Sequence, residues 1–136
     1  MDNFDAPADL DERGLIEGWI RLQYARKNRE PADRLIWAHE VLDEICSRRP
    51  LDCLHIVVQI AEHDRSDFIA ANLAAGPVED LLSRHGPDVI EAVERQARGD
   101  ENFRTLLSGV WRSTIEEAVW ERVQALVRGS AFGKSS

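Results

Sequence analysis

The chain of 136 residues lacks most of the features by which a sequence announces its chemistry. It has two cysteines, Cys46 and Cys53, too few for a disulfide framework. Their spacing of seven also misses the pair two to four residues apart that opens a structural zinc site, so they are expected as buried free thiols. No apolar run approaches the ~20 residues of a membrane span. Basic residues are outnumbered, 17 Lys and Arg against 25 Asp and Glu, for a net charge of −8. A phosphate backbone needs clustered cations, so this balance argues against nucleic acid as partner. The glycines are single, so no Gly-rich phosphate loop exists. Ser47, Ser66, Ser83, Ser108 and Ser113 lack the Gly-x-Ser-x-Gly elbow of a nucleophilic serine.

What is present is helical periodicity, punctuated by proline and glycine. Apolar residues make up 43% of the chain, enough for a core, and the length suits one domain. Asp9, with Glu12 three residues on, matches a capping box for a first helix running to about Asn28. Its apolar face is Leu15, Ile16, Trp19, Ile20 and Tyr24. Pro31 suits the first turn of a second helix, with Leu35, Ala38, Leu42 and Ile45 as its buried stripe. Pro50 stops that helix and opens a third. Leu51, Leu54, Ile56, Val57, Val58, Ile60 and Ala61 cover most of the third helix's circumference, so residues 51–61 are expected at the centre.

Ser66 reads as the N-cap of a short helix over Asp67–Ala75, which Gly76 ends through a left-handed backbone position. Pro77 starts the next helix, and Gly86-Pro87 repeats the stop-and-start. Val89, Ile90, Val93 and Ala97 form one stripe, and Phe103, Leu106, Leu107, Val110 and Trp111 another. Thr114 with Glu117 reads as a capping box for a last helix through Arg128. The basic clusters Arg26-Lys27-Asn28-Arg29 and Arg48-Arg49 fall at helix ends and fit as C-terminal caps. The expectation is an all-α fold of about seven to eight short helices, either a compact bundle or a short α-solenoid-like stack. Residues 1–8 read as an acidic flexible N-terminus, 9–128 as one helical domain and 129–136 as a flexible tail. The stretch MDNFDAPADLDER carries five acids before its first base, the reverse of a secretory signal, and a cytoplasmic location is the default.

The run from Leu73 to Leu82, Ala-Ala-Gly-Pro-Val-Glu-Asp-Leu-Leu at its heart, resembles a family of small bacterial proteins carrying a domain of unknown function. The stretches Phe103–Trp111 and Val119–Val123 are similar to the same family. Val78 stands where that family's run has leucine, a conservative change. The resemblance implies bacterial origin and a helical fold, and brings no activity, substrate or partner with it.

Each candidate site weighs against a plain structural role. Glu79 and Asp80 suit a first turn for the helix dipole, but two adjacent carboxylates also bind a cation or a partner's arginine. His85 lies five or six residues on, at a helix end. His39 and His55, His63 and His85 have no metal-ligating spacing, and neither a metal nor a cofactor is expected. Trp19, Trp37, Trp111 and Trp120 fit core stripes, yet Trp111-Arg112 and Trp120 would make good interface contacts if exposed. The function expected is protein interaction of the immunity, inhibitor or adaptor type, with a partner that is another protein and basic. The alternative is an enzyme or metal-binding protein built on Glu79, Asp80 and His85, or on Glu62, His63 and Asp64.

Overall fold

The caps set the helix boundaries, and several differ from those read in the sequence. The structure is a computed structural model that describes residues 5–133. Helix α1 spans Glu12–Lys27, and its N-cap is Asp11, not Asp9: Gly14 N donates to Asp11 Oδ1 at 2.8 Å. Glu12 is thereby freed from capping and accepts from His55 Nε2 on α3 at 3.1 Å. The helix closes through Arg29, whose φ of 59° is left-handed. Its N–H reaches Arg26 O, and Glu30 N reaches Ala25 O at 2.8 Å, so the last carbonyls are satisfied by backbone.

Helix α2 spans Ile36–Arg48 and follows a 3₁₀ turn at Asp33–Leu35, so Pro31 stands ahead of the helix and not in its first turn. Helix α3, Pro50–His63, does carry Pro50 in its first turn, where the missing N–H costs nothing. The two helices pack together across the single residue Arg49. That close return places Cys46 and Cys53 with Cα atoms 4.7 Å apart, joined as a disulfide. The expectation of free thiols is therefore wrong, although both residues are buried. Arg48 and Arg49 pair with Glu44 and Asp52 at 3.0 and 3.4 Å and do not cap α2. His85 does that instead, its Nε2 donating to Ser47 O at 3.1 Å.

Helix α3 lies at the centre, in contact with α1 and α2 and with the later helices α4 (Asp67–Leu73), α5 (Glu79–Gly99) and α6 (Glu101–Leu107). One helix touching so many others fits a bundle, not a stack whose units meet only their neighbours. Cys53, Leu54, Ile56, Val57, Val58, Ile60 and Ala61 are buried, but Leu51 is 57% exposed. Leu51 shares its face with exposed His55 and Glu62, four and eleven residues on, which is the solvent side of the helix.

The two Gly-Pro sites differ: the first does not end a helix, and the second separates two helical segments. Ser66 caps α4 as expected, Ile69 N donating to its Oγ at 3.2 Å. The chain then passes through a π-helical turn at Ala74–Val78 and straight into α5, with no glycine at positive φ. The wider π turn takes in Pro77, which lacks the N–H and crowds the preceding turn of a tighter helix. At the second site His85 leaves helical geometry (φ −131°, ψ 22°), and α5 is two helical segments meeting at that kink, so the stop-and-start read at Gly86-Pro87 is present. Asp100 caps α6, accepting from Phe103 N at 3.0 Å. Helix α7 spans Glu117–Gly133, so it starts beyond Thr114 and runs past Arg128; residues 134–136 and 1–4 lie outside the described residues. Among the described residues there is no strand, and no helix is long and apolar enough to cross a membrane. The fold is all-α.

Candidate functional site

A cavity of about 520 Å³ opens where α1, α2, the π turn, α5 and the loop before α7 converge. Helix α1 contributes Trp19, Gln23 and Arg26, and α2 contributes His39, Leu42, Asp43 and Cys46. The opposite wall is Asn72 of α4, then Ala75, Gly76 and Pro77 of the π turn and Glu79, Asp80 and Ser83 of α5. Ser113 and Thr114 come from the loop. Because the π turn carries the chain through Gly76-Pro77 without a break, Glu79 and Asp80 stay in register with that wall.

Three carboxylates face this space, and they are not equivalent. Arg84 Nε sits 3.1 Å from Asp80 Oδ1, and Arg84 Nη1 is 3.9 Å from Asp43. Glu79 has no ion-pair partner among the described residues. Two carboxamides add oriented dipoles: Gln23 Nε2 donates to Trp19 O at 3.3 Å, and Asn72 Nδ2 to Phe68 O at 2.8 Å.

Of the residues singled out from the sequence, Glu79 and Asp80 reach the cavity; His85 does not, since it caps α2. Trp111 is 76% exposed, against the reading of a core residue, while Trp19 and Trp37 are buried. Val110 and Ile115 on either side of it are buried, so the chain between them must bow outward. Arg112 turns back into its own loop, Nε donating to Ile115 O at 3.2 Å, and Trp120 is half-buried against the core. Arg112 remains exposed beside Trp111, whereas Trp120 is partly covered.

The second acidic group is likewise engaged in structure. Glu62 pairs with Arg65 at 2.5 Å. Asp64 accepts from Tyr24 Oη at 2.9 Å and from Ser66 N at 3.0 Å. Partial burial pushes the Asp64 carboxyl up, but the hydrogen bonds from Ser66 and Tyr24 outweigh it and hold it below the ordinary 3.8. Among the described residues no three His, Cys, Asp or Glu side chains gather as metal ligands. The sequence reading missed Gln23, Asp43 and Asn72. Gln23 carried a signal: it is a polar residue within the apolar run of α1, between Leu22 and Ala25, which are both buried.

A model described as a family of unknown function, DUF6869, matches residues 25–131. The chain belongs to this family. The DUF6869 span takes in the Gly76-Pro77 turn, Trp111 and every residue lining the cavity except Trp19 and Gln23, which precede it. Neither the curated proteins nor the solved structures contain a match to the chain.

Proposed function

We propose that this protein is a protein-interaction module of the immunity, inhibitor or adaptor type, and that it binds a basic partner through the face carrying the cavity and Trp111. The observation that carries the reading is Trp111, a large apolar side chain 76% exposed between two buried residues. Trp is among the residues that most often dominate binding energy, and an exposed one gains most when a partner covers it. The loop that presents it also supplies Ser113 and Thr114 to the cavity, so the apolar contact and the polar recess belong to one surface segment. The net charge of −8 favours encounter with a basic surface.

The enzyme alternative has weaker support, because His85 and the Glu62–Asp64 group are bound up in structural contacts away from Glu79 and Asp80. The reading places the protein in the bacterial cytoplasm.

The test is affinity capture from the source cell with the wild-type chain and Trp111→Ala. The variant keeps its stability within about 0.5 kcal/mol, as exposed positions do. It should bind the captured partner about thirtyfold more weakly, corresponding to a hot spot of ~2 kcal/mol. A partner retained equally by both chains, or no partner at all, overturns the proposal.

A further inference from the structure

We infer that the cavity is a guanidinium pocket, which receives an arginine side chain presented by the partner protein. The inference rests on the protein-interaction reading and names the group that reading leaves open.

The decisive residue is Gln23, which is 7% exposed and is the buried polar side chain of the core. Its contact with Trp19 O fixes the amide's orientation, because a carbonyl accepts only from the nitrogen end. The Oε1 end is left over, and nothing among the described residues donates to it. Nor is that oxygen sealed in: among the described residues, the fully enclosed side-chain polar atom without a partner is Arg104 Nε. Gln23 lines the cavity, and we take the cavity as the space its oxygen faces.

Asn72 repeats the arrangement from α4. Its nitrogen is taken by Phe68 O, and its oxygen is free. Glu79 adds an unpaired carboxylate from α5. The cavity thus presents, from three separate elements, acceptors that no donor has taken, beside the donors of Arg26, His39, Ser83, Ser113 and Thr114.

A complementary ligand carries positive charge and several N–H groups spread in space. Guanidinium offers five donors in a rigid planar fork, whereas an ammonium offers three at one point. Leu42 and Pro77 supply apolar wall for a methylene stem. Of the lining charges, Asp43 and Asp80 share Arg84, which leaves Arg26 facing Glu79, the carboxylate without an ion-pair partner among the described residues.

The test is an NMR titration of the full chain with Nα-acetyl-arginine methylamide, and in parallel with the lysine analogue. Saturable shifts are expected in the side-chain amides of Gln23 and Asn72 and in the backbone of residues 75–80. The lysine compound should bind about fivefold or more weakly, for one or two hydrogen bonds lost, and Glu79→Gln should weaken arginine binding about tenfold. Absence of saturable shifts at these groups, equal affinity for lysine, or an unaffected Glu79→Gln overturns the pocket. Saturable arginine binding by a chain that captures no partner upholds the pocket and overturns the module. Capture of a partner, with no arginine shift beside Gln23, does the reverse.

Discussion

Gly86→Ala is the substitution that most directly tests how α5 is seated against α7. A Cβ at Gly86 would lie 2.9, 3.1 and 3.3 Å from Cγ2, Cγ1 and Cβ of Val119. All three atoms belong to a side chain that is 3% exposed and stiff about χ1, so it cannot swing clear. Overpacking of this kind costs about 1–3 kcal/mol, while the gain in helix propensity from Gly to Ala returns roughly 1 kcal/mol. The expected net loss is about 1 kcal/mol, or some 3 °C in Tm. Gly76→Ala is the internal control, because a Cβ there meets nothing within 4 Å. That variant should gain up to about 1 kcal/mol, so the two glycines diverge by about 2 kcal/mol in urea denaturation. Val119→Ala removes the obstructing methyls, and in that background Gly86→Ala should turn neutral or stabilising. Equal effects at the two glycines, or a coupling between 86 and 119 within about 0.5 kcal/mol of zero, would refute the reasoning.

Two further outcomes follow from the covalent and ionic contacts. Replacing both Cys46 and Cys53 by alanine opens a loop of sequence separation 7, for which chain entropy gives a loss of about 2.5 kcal/mol. Equal urea midpoints for that variant and the oxidised wild type would contradict this. Glu94 is bound by Arg122 at 2.5 and 2.9 Å. The hydrogen bond from Arg122 holds its carboxyl below the ordinary 4.5 despite partial burial. Because the folded-state pKa values of Glu94 and Asp64 are depressed, their contribution is complete above the unfolded values. It drains away as pH falls through about 4 and on through the folded values. Urea midpoints between pH 6 and 3 should fall accordingly. Glu94→Gln should cost about 1 kcal/mol at pH 7 and flatten that fall; an unchanged slope would show that the pair does not set acid stability.

The local rules of helix formation carried the sequence reading far, and failed where tertiary packing decides. The stripe of Val89, Ile90, Val93 and Ala97 and the capping by Ser66 are local matters, and the structure has them as read. Gly76-Pro77 and Gly86-Pro87 look alike in sequence, yet the chain runs on helically through the first and breaks at the second. One is absorbed by a π turn and the other is marked by a kink whose His85 is tied to α2, a partner 38 residues away. The disulfide was hidden for a similar reason, since spacing alone does not reveal that α2 and α3 return so tightly. In the cavity, Glu79 and Asp80 were visible as an acidic pair. Gln23 and Asn72 were not, because their role depends on which end of each amide its own helix has already used.

The loop around Trp111 has a thermodynamic consequence. Its ends are fixed by buried Val110 and Ile115, and Ile115 N donates to Arg112 O at 2.8 Å while Arg112 Nε donates back to Ile115 O. The backbone flanking the tryptophan is therefore largely ordered before any partner arrives. A flexible loop would forfeit on the order of 1 kcal/mol or more per residue as it became fixed in a complex. Here much of that loss has been met during folding. More of the free energy of covering Trp111 is then available to slow dissociation, and a complex formed on this face should be long-lived for its area.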